Sequence, residues 1–217
     1  MGLFENVKRG ANSLFCPEKS ATGKLSISAS LKIYYPIAII STIIYIALAS
    51  IMHFYGIVPG GFLGNYYSMM GYVHGFGAAG ILGKAIGFAL FALVLIPIGI
   101  FINAAIYHAV GKYLLKAFNG TYEKTFAAAT FGEMPLVLFY WLTALPVAGI
   151  VFIGIFAVWG IIVFIIALAA QQKTTRASSA VVLFATVFIV VILAMLFAAL
   201  YSIASLPATV PPGYPYA

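Results

Sequence analysis

The sequence predicts an all-α fold: a polytopic membrane bundle of five transmembrane helices, with the N-terminus cytoplasmic and the C-terminus outside. Three observations predict it. First, 64% of the 217 residues are hydrophobic and 7% charged, with a mean hydropathy of +1.12, far from a soluble composition. Second, apolar stretches at 36–54, 86–111, 126–143, 146–170 and 179–203 each approach the roughly 20 residues that cross a ~30 Å hydrocarbon core. Third, ten of the eleven Lys and Arg residues fall on one side of that arrangement. Lys8, Arg9, Lys19, Lys24 and Lys32 precede the first span. Lys112, Lys116 and Lys124 lie between the second and third, and Lys173 and Arg176 between the fourth and fifth. Only Lys84 falls opposite. Basic residues are retained in the cytoplasm, which sets the orientation.

The chain then divides into a cytoplasmic N-terminal segment (1–32), a membrane domain (33–205) and a Pro-rich tail (206–217). Leu3, Phe4, Val7, Ala11, Leu14 and Phe15 recur at helical spacing, which predicts an amphipathic helix lying in the headgroup interface. Pro17 should end it, and 18–32 reads as a connector. Cys16, the single cysteine, is a lipidation candidate by S-palmitoylation, with an unmodified thiol as the plainer reading. The first 32 residues lack the apolar run of a signal peptide, so the first span is expected to serve as an uncleaved anchor.

Tyr34, Tyr35 and Pro36 are expected to open that span at the membrane surface. Nine glycines crowd residues 56–83, too many for a confident span in a stretch too apolar for a solvated loop. It reads as an interfacial or shallow re-entrant segment on the outer face. Pro97 in the second span and Pro135 in the third are expected kinks. Asn119-Gly120 marks a turn. The third and fourth spans form a hairpin around Thr143-Ala144-Leu145-Pro146. Gly149, Gly154 and Gly160 are small positions that permit close helix contact. The fifth span reads as structural.

Glu133 is the single acid inside a span, costly unless paired or neutralised. Counted from a turn centred near Asn119-Gly120, His108 stands at about the same depth on the neighbouring helix. Lys112 lies one turn from His108, and Asn103 is a further polar residue of that span. An intramembrane polar pair of Glu133 and His108, with Lys112 and Asn103 nearby, reads either as structural glue or as a proton or ion site. Catalysis is poorly supported. The chain has no Asp and three His, which removes a Ser-His-Asp triad, and no metal-ligand spacing occurs. No cofactor, metal or nucleic acid is expected. The net charge of +7 is spread beside the spans, where it suits anionic lipid headgroups at the inner face.

Gly120-Thr121, Thr125-Phe126 and Pro135, with Thr174-Thr175-Arg176-Ala177 leading into the last span and Phe15-Cys16-Pro17 before the first, resemble the Yip domain family of Ypt/Rab-interacting five-span membrane proteins. The likeness is to its short prokaryotic members. The Asp-Leu-Tyr-Gly-Pro motif of eukaryotic members is absent, so binding to a Rab-type GTPase is not implied. The resemblance implies a five-span fold in a prokaryotic cell membrane and an organising role. The expected function is a non-enzymatic scaffold or adaptor that acts through lateral contacts with a membrane-protein partner or a second copy. Small-residue faces on spans two to four and the glycine-rich segment would supply those contacts. The alternative is a small transporter or channel with its polar site at Glu133 and His108.

Overall fold

Apolar periodicity alone leaves helix ends open, and the structure closes them. The computed structural model describes residues 2–21, 25–54, 83, 86–145 and 148–204. These are helical, with no strand among them. Two short helices, α1 (Leu3–Asn12) and α2 (Pro17–Ser20), precede five long ones. These are α3 (Ile27–Phe54), α4 (Ile86–Leu114), α5 (Tyr122–Phe139), α6 (Ala148–Gln172) and α7 (Arg176–Ala204). All five are long and apolar enough to cross a membrane. The glycine-rich segment 56–83, Gly83 apart, and the tail 206–217 lie outside the described residues.

Four spans begin and end within a few residues of expectation, the ordinary scatter of helix ends. The first does not. α3 starts at Ile27, so Lys32 belongs to a span rather than a connector, and Pro36 sits inside the helix. Ser26 caps it, accepting the Ala29 N–H on its Oγ at 3.2 Å. Pro36 marks no start because a membrane helix tolerates an internal proline when neighbouring groups satisfy the freed carbonyl.

A repair of this kind is visible in α4. A π-helical turn spans Phe91–Leu95, and the Ile96 N–H reaches back five residues to the Phe91 carbonyl. The next donor in that register would be Pro97, which has none. The orphaned Ala92 carbonyl instead accepts the Tyr34 hydroxyl at 2.6 Å. Tyr34 is completely buried, so α3 supplies the hydrogen bond that α4 cannot make for itself.

α5 is the central helix. Its mean hydropathy of 1.2 is the lowest of the five spans, yet 56% of its most apolar window is buried, against 17% for α7 at 3.1. The inversion follows from the solvent. A helix surrounded by protein can carry Thr125, Thr130 and Glu133, whereas one facing lipid must be apolar all round. Phe126, Phe131 and Met134 of α5 fill the core with Ile33, Ile37, Ile100 and Leu168.

α5 and α6 approach closely at two glycines. A Cβ added to Gly160 would stand 2.6 Å from the Gly132 carbonyl oxygen, and one added to Gly132 would meet Phe164 Cβ at 2.7 Å. Gly149 abuts the 3-10 turn Tyr140–Ala144, where an added Cβ would stand 2.9 Å from Thr143 Cα. Gly154, expected on the same interface, meets nothing within 4 Å; it faces outward.

The N-terminal segment is bound to the bundle. Asn6, Gly10, Ser13 and Leu14 are buried, with Gly10 against Ile33 and Ile37 of α3. Trp159 Nε1 donates to the Leu14 carbonyl at 3.1 Å, and Gln171 Nε2 donates to the Ala21 carbonyl. Of the expected apolar stripe, Phe4 and Phe15 point outward while Leu14 turns inward. An exposed ion pair joins Arg176 to Glu18 at 3.0 Å and adds little stability.

Candidate functional site

The expected polar residues separate into two sites. The first ties together the ends of α4, α5 and α6 nearest the basic residues, called the basic end below. His108 is buried and its Nδ1 lies 2.9 Å from Thr125 Oγ1, the tautomer deciding which of the two donates. Gln172 Nε2 donates to the same Thr125 oxygen at 2.7 Å and to the Thr121 carbonyl at 3.3 Å. Its Oε1 accepts the Gly120 N–H at 2.8 Å. Gly120 has no room for a Cβ, which would collide with Gln172 Oε1. One side chain thus holds the α4–α5 loop against α6. Gln172→Leu should cost about 1–3 kcal/mol by stranding these groups, read as a lower midpoint of unfolding in mixed micelles.

The second site is a cavity of about 220 Å³ lined by α4, α5, α6 and α7. Glu133, Asn103 and Tyr107 are its polar lining; Ile100, Phe164 and Leu183 are among its apolar walls. Glu133 and Asn103 each lie roughly 16 Å from the basic ends of their helices at 1.5 Å per residue, about half of a ~30 Å core. The phenols of Tyr34 and Tyr107 lie within electrostatic range of the carboxyl. Among the described residues, no hydrogen bond or ion pair reaches Glu133.

The His108–Glu133 pair is therefore not formed. His108 bonds Thr125, about 12 Å nearer the basic end of α5 than Glu133. The sequence count treated the connection as a tight hairpin. Here a second π-helical turn, Val110–Leu114, and a loop with Lys116 at φ 52° shift the register, so Asn103 and Tyr107 come to Glu133 instead. Lys112 is exposed, its ammonium 6.0 Å from the Tyr113 ring centroid. Pro97 follows the first π-helical turn and Pro135 lies inside α5. Cys16 is an exposed free thiol.

Three participants escaped the sequence reading. Tyr107 follows Asn103 by one helical turn and so shares its face, a signal that was present. Thr125 and Gln172 sit where hydropathy merely marks span ends. A shallow groove of about 790 Å³ also runs between α1 and α3 and is lined by Asn6, Ser28, Lys32 and Tyr35 together with apolar side chains. No cluster of His, Cys, Asp or Glu among the described residues could hold a metal ion. Comparison of the chain with family models, curated proteins and solved structures finds no match in any of them.

Proposed function

We propose that this chain is a non-enzymatic membrane scaffold or adaptor that organises other membrane proteins through lateral helix contacts. One observation carries the reading. From residue 187 to 202, α7 has no buried residue, and Ile189 alone is half-buried. Phe188, Met195, Phe197 and Tyr201 all stand exposed. The half of α7 that does pack does so through Ser179, Val182, Leu183 and Thr186. Along the exposed half, Ala194 and Ala198 stand one turn apart, small positions of the kind that let membrane helices meet closely.

This moves the expected contact surface. Gly132 and Gly160 are consumed by internal packing, whereas the fifth span, expected to be merely structural, offers the free face. The likeness to the Yip domain family supports the same role. In native membranes, mild extraction should recover a stoichiometric partner, and Ala194→Phe with Ala198→Phe should release it without lowering stability. Recovery of the chain alone, with or without the substitutions, would overturn the reading.

We place the basic end in the cytoplasm of a prokaryotic cell membrane, with the N-terminus inside and the C-terminus outside. There the Lys32 groove suits anionic lipid headgroups. In a Cys16→Ser background, a cysteine at 174 should label only after permeabilisation; labelling of intact cells would reverse the orientation.

A further inference from the structure

Glu133 sits at mid-depth with no counter-ion among the described residues. The cavity it lines is bordered by Asn103 on α4 and Ile161 on α6, and both are exposed. It therefore opens sideways, out of the bundle. Within it, Tyr107 and Phe164 place their rings 4.8 Å apart, centroid to centroid. A carboxyl group, an amide oxygen and two aromatic rings make up the chemistry that receives an organic cation, by charge-assisted hydrogen bonding and by attraction to the rings. At about 220 Å³ the space is smaller than the ~300–1,000 Å³ of drug-sized sites. It suits a single ammonium or guanidinium head.

No described residue of this chain supplies that cation. The described basic residues of the spans are Lys32, Lys112, Lys124 and Arg176, and each lies nearer the basic end of its helix than Glu133 does. A second copy would bring none of them to this depth. The cavity also adjoins the free face of α7, because Leu183 lines it and the unpacked stretch begins one turn further on.

We propose that the cavity formed by Glu133, Asn103, Tyr107 and Phe164 receives a Lys or Arg side chain from a partner's transmembrane helix, with Glu133 as its counter-ion. The inference rests on the adaptor reading and names the partner's chemistry. An intramembrane acid and an intramembrane base are each costly alone, and pairing offsets part of both costs. A span lacking the base gains nothing from the site, so the pair confers choice of partner as well as affinity.

The test uses the full chain in phosphatidylcholine vesicles, with a fluorescence donor on Cys16. Two synthetic Leu/Ala transmembrane peptides carry the acceptor, one with Lys at its centre and the other with Leu there. The Lys peptide is expected to associate at least ~10-fold more tightly, a difference of one decade in Kd. Glu133→Gln should abolish the preference and Glu133→Asp should retain it. Equal association of both peptides with the unaltered chain overturns the proposal, whatever the fate of the variants, as does a preference that survives in Glu133→Gln. Neither outcome touches the adaptor reading, which fails separately if native membranes yield no partner at α7.

Discussion

Gly160→Val is expected to destabilise the bundle by about 2–3 kcal/mol through overpacking. The added carbons would be driven into the Gly132 carbonyl oxygen, 2.6 Å from the first of them. That oxygen is backbone in the central helix and cannot rotate aside as a side chain would. α5 and α6 would have to separate, loosening the contact between Gly132 and Phe164 and the packing around Phe131 and Met134. Gly154→Val is the matched control, since its Cβ position is open. Its effect on unfolding should stay within about 0.5 kcal/mol, as for surface changes away from special features. Reversible unfolding in mixed detergent micelles distinguishes them. Equal losses at the two positions would mean that α5 and α6 do not meet at Gly132 and Gly160.

The second large effect is expected at Tyr34. Removing its hydroxyl in Tyr34→Phe leaves the Ala92 carbonyl without a donor, at a cost of about 1–3 kcal/mol for a buried unsatisfied group. Water cannot repair the loss inside a span. Tyr35→Phe, on an exposed ring, should be near neutral. The cause can be isolated with Pro97→Ala, which restores an N–H in register with Ala92. In that background Tyr34→Phe should cost measurably less, and the two changes should be non-additive. Additive effects would show that Tyr34 and the proline gap are energetically separate.

Much of the fold was legible because a hydrocarbon solvent demands long apolar helices, and the sequence supplies five. What hydropathy could not convey was the environment of each. α5 reads as the weakest span because it carries Glu133 and two threonines, Thr125 and Thr130, yet it is the most enclosed. α7 reads as the strongest and is half free. Proline misled at Pro36, where a span boundary was expected and the helix continues.

The candidate site was legible in composition and not in register. Glu133 and Asn103 do share a cavity. The partner assigned to Glu133 depended on counting through a loop whose π-helical turn no periodicity reveals. The glycines of α6 held an unread signal. At about 100° per residue, Gly149 and Gly160 fall within roughly 20° of each other and Gly154 roughly 140° away. Two of the three could therefore have been placed on the α5 face, and the third outward, from spacing alone.

The most direct measurement of the adaptor claim is photo-crosslinking in native membranes from position 198 on the free half of α7, with position 134 in the buried core as the internal control. The account predicts a discrete protein adduct from 198 that is absent when the probe sits at 134. If 198, together with 194 on the same line, crosslinks to lipid alone, the exposed half of α7 faces only the bilayer and the adaptor reading is contradicted.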